Sequence, residues 1–485
     1  MSSKLMSKTV TGVGWSAAEA LSGQAANFVV SLVLARLLSP AEYGLIGIAM
    51  IFIVILSGFV DCGFSNALIR KKEVTDKDYN TMFVTNMVMS AIVFLILFFC
   101  APWVANFFER PEVTSLLRVM ALTVIIQSVS LVQNTILTKR IDFKTKTKAT
   151  VIAAIVSGAL GISAAFYGWG VWALAVQQIS SQLVNTICLC FFNKWMPNFS
   201  FSVDSFRYMW GFGWKLMLSG FLDRTWNQLY QAVVGKCYTP ATLGQYSRAN
   251  MFAQFFSLNL TSIVQRVTFP ALAEVQDEKE RMVAAYRKII KTTMFVTAIC
   301  MISLGAISEP FIYCLIGDQW HQAATFLPLI CIYLSLYPLH AINLNMLQIQ
   351  GRSDIFLILE IIKKIIAIGP LCLGIFVNIY WMLWGSIVAG IISFFLNSYY
   401  TGKKLGYSSW QQLKDVAPSY AIAAVIAVSV YFFKFLPLSN FIILPIQLVV
   451  GIVVFFAICE TLKPEEYVEL KRIAVEYFNK VKKKI

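Results

Sequence analysis

The chain has 485 residues, of which 58% are hydrophobic and 13% charged, and its mean hydropathy is +0.69. Soluble globular chains carry roughly 25% charged residues, so the polar surface here is too small to keep the chain in water, and an integral membrane protein is the class that remains. The net charge of +15 would suggest nucleic acid in a soluble protein, so the placement of the charges has to decide.

Residues Met1 to Thr11 carry Lys4 and Lys8 and lead into an apolar run too long for a signal-peptide core, with no small-residue cleavage site behind it. It is expected to be a retained first transmembrane helix. Apolar segments of spanning length, about 20 residues each, follow in order. They cover 11–38, 41–69, 79–108, 112–137, 149–167, 170–193, 207–235, 241–269, 288–308, 322–349, 354–377, 380–401, 415–435 and 440–461. The sequence thus predicts an all-α polytopic membrane protein of about 14 transmembrane helices.

Lys and Arg in the connections set the direction. With the N-terminus inside, 29 of the 40 basic residues fall in inner segments and three (Arg110, Lys236, Lys434) in outer ones. The split alternates over every connection, and one missed helix would invert every later loop. The basic residues therefore read as topology signals facing an anionic leaflet, both termini are expected in the cytoplasm, and nucleic acid is excluded as a partner. The tail from Pro464 to Ile485 sets Tyr467, Leu470, Tyr477 and Val481 on one helical face before a lysine-rich end. Two forms fit it equally: an amphipathic helix on the inner membrane surface or a solvated basic tail.

Ten cysteines lie almost all inside apolar runs, none in a C-x-x-C pair, and only two histidines, His321 and His340, accompany them. Inert thiols, with no metal site and no cofactor, are expected from that spacing.

The seventh span repeats the first. Gly12-Val13-Gly14-Trp15 matches Gly211-Phe212-Gly213-Trp214 at an offset of 199, and Ser39-Pro40-Ala41-Glu42-Tyr43-Gly44 matches Thr239-Pro240-Ala241-Thr242-Leu243-Gly244 at 200. Ser or Thr before Pro caps a helix start, and Gly beside Trp lets helices approach at headgroup depth. An even number of helices separates the copies, so the repeats run parallel around an axis along the membrane normal. The expected organisation is two six-helix bundles, 1–205 and 206–402, around a central cavity. Helices 13 and 14 (403–461) and a basic cytoplasmic tail (462–485) complete it.

Four stretches carry a family resemblance. Leu37-Leu38-Ser39-Pro40-Ala41-Glu42-Tyr43-Gly44-Leu45 resembles the signature that opens bacterial polysaccharide flippases, members of the multidrug/oligosaccharidyl-lipid/polysaccharide exporter superfamily. Gly58 to Phe64 with Ile69-Arg70-Lys71, Phe269 to Ala273 with Asp277, Arg281 and Tyr286-Arg287, and Gln350-Gly351-Arg352-Ser353-Asp354 are similar to later elements of that family. The likeness is nearest to the lipopolysaccharide, colanic-acid and teichuronic-acid exporter branch. It implies movement of polyprenyl-diphosphate-linked oligosaccharides from the inner to the outer leaflet of the bacterial cytoplasmic membrane by alternating access of two bundles. Lipid-linked oligosaccharide, membrane lipids, a coupling H+ or Na+ and polysaccharide-assembly proteins are the partners weighed.

Ionisable groups inside spans cost roughly 2.5–3.5 kcal/mol at a helix centre, so they face a cavity or a partner. The basic set is Arg36, Arg118, Lys215, Arg224, Arg248, Arg266, Lys363 and Lys364; the acidic set is Glu19, Asp61, Asp223 and Glu360. The cation excess suits an anionic headgroup such as a diphosphate. Lys215, Arg224, Arg248 and Lys363 lie deeper and form the expected ladder of substrate contacts, with Arg36 a further candidate. Arg36, Arg118 and Arg266 sit near helix ends, where snorkelling accounts for them. Glu19, Asp61, Asp223 and Glu360 are candidates for gate or ion-coupling roles. The alternative is internal pairing: Glu360 precedes Lys363 and Lys364 by three and four residues. Trp214, Trp226 and Tyr230 are candidate sugar-stacking groups, interface anchoring being the simpler account.

Two other functions compete. A multidrug or organic-cation antiporter would want carboxylates and aromatics in its cavity, against the basic excess here. A membrane glycosyltransferase, ligase or polymerase would want a sizeable catalytic loop, and the largest outer connection, Glu309 to His321, offers only Glu309, Asp318 and His321. A non-enzymatic carrier is the expected class.

Overall fold

A computed structural model describes residues 25–274, 278–349 and 352–482. Gly12 to Trp15 and Glu19 lie outside them, as do Asp277, Gln350 and Gly351. Among the described residues there is no strand. The helices, in chain order, are α1 (Ala25–Leu37), α2 (Pro40–Leu56), α3 (Phe64–Arg70), α4 (Asp76–Phe108), α5 (Glu112–Met120) and α6 (Leu122–Lys139). Next come α7 (Phe143–Phe166), α8 (Val171–Asn193), α9 (Val203–Cys237), α10 (Pro240–Glu274), α11 (Lys279–Ala306) and α12 (Ser308–Ile316). The remainder are α13 (His321–Ser335), α14 (Tyr337–Ile349), α15 (Ser353–Phe376), α16 (Ile379–Leu405), α17 (Ser409–Tyr431), α18 (Asn440–Leu462) and α19 (Glu465–Lys482).

Among the described residues, ten segments are long and apolar enough to cross a membrane. The expected spans outside that set are the first, described only from Ala25, and those of α9, α10 and α15. The last three do not lack length. α9 and α10 have 35 residues each and α15 has 24, or about 52 and 36 Å at 1.5 Å per residue, against a hydrocarbon core of about 30 Å. What sets them apart is their polar and ionisable content: they are the helices that hold Lys215, Asp223, Arg224, Arg248, Arg266, Glu360, Lys363 and Lys364.

The chain forms two compact units, Met1–Gly244 and Gln245–Ile485. This division by contact differs from the one drawn from the repeat at 205, because α9 packs on α2, α3 and α4 inside the first unit. That unit's core joins Phe64, Leu68, Met82, Phe83, Val132 and Met209. Polar groups hold its linker: Gln133 donates to Trp195 O at 3.0 Å, Asn193 donates to Gln133 at 2.6 Å, and Asn198 N donates to Asn80 at 2.9 Å.

Two helix starts in this unit show why the repeated Ser/Thr-Pro motif recurs. Ser39 caps α2 and forms a capping box with Glu42. Thr239 likewise accepts from Thr242 N, at 3.2 Å. The two starts pack backbone to backbone. A Cβ on Gly44 would lie 1.8 Å from Pro240 O, and one on Gly244 would lie 1.9 Å from Pro40 O. Each motif thus seats its glycine on the other's proline, and only glycine permits that approach.

In the second unit, Tyr286, Ile290, Met294, Ile342, Met346, Phe394 and Tyr407 form a buried core. Tyr286 Oη donates to Asn343 Oδ1 at 2.7 Å, and Asn343 Nδ2 donates to Gln412 Oε1 at 3.1 Å. The tail forms the helix α19, and the start of its apolar face packs on protein: Tyr467 and Leu470 meet Phe295, Ile422, Ile426 and Cys459.

Candidate functional site

In the first unit the second span does not run through as one helix. α2 ends at Leu56, a single 3-10 turn covers Ser57–Phe59, and the chain turns through Cys62 at φ 51° and Gly63 at φ 74° before α3 begins. Left-handed backbone at Cys62 is strained, and at Gly63 it is what glycine supplies. The crossing with α9 fixes the second glycine. A Cβ on Gly63 would lie 2.4 Å from Gly213 O, and one on Gly213 would lie 2.4 Å from Cys62 O. Irregular backbone at membrane depth survives only where protein or a wet cavity satisfies it. The fully buried Asn86 does part of this: with its amide turned to match its partners, Nδ2 donates to Val60 O at 3.0 Å. Lys139 caps the far end of α3, donating to Leu68 O at 2.9 Å.

Asp61 sits in this break. Its Oδ1 accepts from Ser65 N at 3.2 Å and from Ser65 Oγ at 2.5 Å, and Thr135 Oγ1 on α6 donates to Ser65 Oγ at 2.9 Å. The chain of oxygens ties the carboxylate to two neighbouring helices. Across from it, Arg224 of α9 lies over Gly58, its Nη1 3.0 Å from where a Cβ would stand. The Arg224 charge reaches the Asp61 carboxylate through space. Among the described residues, Arg224 makes no hydrogen bond or ion pair, and neither does Lys215, whose ammonium lies 5.9 Å from the Trp214 ring centre. Both side chains are exposed in their unit. The rest of this face of α9 is aromatic: Trp210 stacks on Phe206 with ring centres 5.8 Å apart, and Phe221 lies 4.6 Å from Phe59.

The other expected site residues fall elsewhere. Arg36 and Asp223 are exposed in the first unit. Arg118 donates its Nε to Phe98 O at 3.2 Å and covers the Phe98 ring, which fixes it at its helix end. In the second unit, Lys363 forms a direct ion pair with Glu360 one turn earlier on α15, beside the ring of His340. Arg248 is 8% exposed, packed 5.9 Å from the Trp320 ring centre and 3.2 Å from Met251 Sδ. The structure therefore brings Asp61 and Arg224 together, joins Glu360 to Lys363 separately, and seats Arg248 in a packed wall. Glu19 lies outside the described residues.

Ser65, Asn86 and Thr135 join the candidate site without having been singled out in the sequence, and Gly58 and Gly63 had entered only through the family resemblance. A signal existed: Gly58-Phe59-Val60-Asp61-Cys62-Gly63 puts two glycines around an acid inside an apolar run, the mark of a broken helix. Outside the spans, Lys236 donates to Glu109 at 2.8 Å and holds that carboxyl below its usual range. No group of three or more His, Cys, Asp or Glu that could hold a metal occurs among the described residues.

A family model described as polysaccharide biosynthesis protein matches residues 33–325. The succinoglycan biosynthesis transport protein ExoT of Rhizobium meliloti is 26% identical over 77% of this chain and 76% of its own length. The lipopolysaccharide biosynthesis protein WzxC of Escherichia coli is 23% identical over 76% of each. Among solved structures, the lipid II flippase MurJ in an inward closed conformation superimposes with a TM-score of 0.72 at 15% identity, covering 93% of this chain and 100% of that one. An inward-facing multidrug resistance transporter of the MATE family gives 0.61 at 17% identity, over 79% of this chain and 96% of that one. The fold is shared with both.

Proposed function

The chain belongs to the polysaccharide biosynthesis protein family, and from that membership we propose that it is a flippase. It moves a polyprenyl-diphosphate-linked oligosaccharide from the inner to the outer leaflet by alternating access and makes or breaks no covalent bond. The observation that carries this is Arg224. A cation on a membrane-spanning helix costs roughly 2.5–3.5 kcal/mol on insertion scales, and this one makes no hydrogen bond or ion pair among the described residues, Asp61 acting on it only through space. A diphosphate supplies the partner, since guanidinium and phosphate meet through paired charge-assisted hydrogen bonds. Lys215 adds a second cation on the same helix, nine residues or about two and a half turns away and so on its opposite side.

The relatives support this: one is a succinoglycan biosynthesis transport protein and another a lipopolysaccharide biosynthesis protein. A multidrug antiporter would need an available carboxylate for a cationic drug. Here Asp61 is engaged by Ser65 and Glu360 by Lys363, while Arg224 and Lys215, which make no hydrogen bond or ion pair among the described residues, are cations. In this reading the protein is a multi-pass protein of a bacterial cytoplasmic membrane with both ends inside. Residues 1–205 and 206–402 are its duplicated halves, with helices 13 and 14 and the tail appended. Asp61, tied to Ser65 and Thr135, is the candidate for a coupling proton or sodium ion.

The test is a deletion strain in which lipid-linked repeat units are located by a membrane-impermeant sugar-modifying enzyme. A flippase defect leaves them protected on the cytoplasmic face. Unpolymerised units modified from outside would overturn the proposal in favour of a polymerase.

A further inference from the structure

The second unit contains a cavity of about 910 Å³ between the start of α11 and the first turns of α19. Lys279, Lys288 and Lys291 line it from α11, and Glu465, Glu466 and Glu469 from α19. The carboxylates hold the lysines directly: Lys288 to Glu469 at 2.5 Å, Lys291 to Glu465 at 2.9 Å and to Glu466 at 3.3 Å. Arg287, also in the wall, is held differently, by two hydrogen bonds to Asp415, one at 2.5 Å and one at 2.6 Å. Asp415 is steadied in turn by Tyr407 Oη, which donates to it at 2.7 Å.

The distribution of charge is uneven between the two helices. With α19 docked, its three carboxylates hold Lys288 and Lys291. With α19 lifted, the same lysines and Arg287 face only Glu280 and the shielded Asp415. The carboxylates of α19 stand where the oxygens of a phosphate would bind, on Lys288 and Lys291, which lie three residues apart on α11. The wall also has Val283, Ala284 and Leu405, and α11 begins a membrane span here, so the anion that reaches the site lies at headgroup depth.

We propose that this cavity is a binding site for a lipid phosphate headgroup, and that α19 occludes it by presenting Glu465, Glu466 and Glu469 in the phosphate's place. Two lipids share the chemistry: a bulk anionic phospholipid and the diphosphate of a polyprenyl-linked substrate. The site is separate from Arg224, and its test reads binding alone, so it stands or falls independently of the flippase proposal.

The full chain in detergent would be titrated with dioctanoyl phosphatidylglycerol and with farnesyl diphosphate, with dioctanoyl phosphatidylcholine as control, and bound lipid counted by native mass spectrometry. E465Q/E466Q/E469Q is expected to bind the anionic lipids about tenfold more tightly than the parent chain, and adding K288Q/K291Q to lower binding about 30-fold, at roughly a fivefold effect per surface lysine. The swap K288E/E469K keeps the ion pair, so it should keep the parent melting temperature and still lose anion binding. Tightening for both anionic lipids assigns a general lipid-phosphate site, and tightening for the diphosphate alone assigns the substrate headgroup. Glutamines that do not tighten binding, lysine changes without effect, or equal gains for phosphatidylcholine would overturn the proposal.

Discussion

Arg224 and Lys363 both sit on long helices too polar to rank among the apolar spans, yet the protein treats them in opposite ways. Lys363 is neutralised one turn away by Glu360 on its own helix. Arg224 is left with Asp61 at a distance, across a break in another helix, and with no hydrogen bond among the described residues. A charge with a local partner on its own helix has been made structurally tolerable. Arg224, exposed in its unit, is left open to a ligand in the proposed function.

The largest expected effect breaks or confirms that contrast. Arg224→Ala should lower export at least about 30-fold, the loss expected when a desolvated charge contact is removed. Removing both members of the other pair, as E360Q/K363M, should keep export within about threefold, since replacing an ion pair with neutral groups is often close to neutral. Export assayed by complementation at equal expression reads both, and equal losses would dissolve the distinction.

The break itself offers a second comparison. Gly63 and Gly168 share a left-handed backbone, at φ 74° and 76°, but a Cβ on Gly63 meets backbone at 2.4 Å while one on Gly168 meets nothing within 4 Å. Gly168→Ala should cost only the backbone strain, about 1 kcal/mol. Gly63→Ala adds the clash and should cost about 3 kcal/mol or fail to fold. Thermal unfolding in detergent measures the difference, and equal melting temperatures would mean that the α3–α9 crossing is not close-packed.

The smallest effect is at the surface. Lys236 holds the Glu109 carboxyl below its ordinary value, so the pair contributes fully above that value and its contribution fades as pH falls through the lowered one. Between about pH 5 and about pH 3, a range around the free carboxyl value, the parent chain should lose slightly more melting temperature than K236M. An identical slope in both would show that the pair contributes nothing.

Most of the helical frame was legible because long apolar runs have few alternatives in a membrane. The Glu360–Lys363 pair was legible too, since three-residue spacing on a helix brings side chains together whatever the tertiary structure. Reading failed where partners come from far along the chain. Nothing near Arg248 announces that it packs on Trp320, and nothing near Asp61 announces Thr135. The helix break was hidden because Phe59, Val60 and Cys62 are as apolar as the helix before them, and only the paired glycines betray it. The contact boundary at Gly244 was not legible from the repeated motifs, because packing follows which faces complement each other and α9 packs on α2, α3 and α4.

The reciprocal seating of Gly44 on Pro240 and Gly244 on Pro40 has the form of an isologous contact, in which one patch meets its own likeness. Two copies of a half-length chain related by a two-fold axis would pair through it without any further invention. Joining them end to end would preserve the contact while freeing the remaining surfaces to diverge. Neither glycine could then drift alone, because a side chain on either one strikes the other copy's backbone.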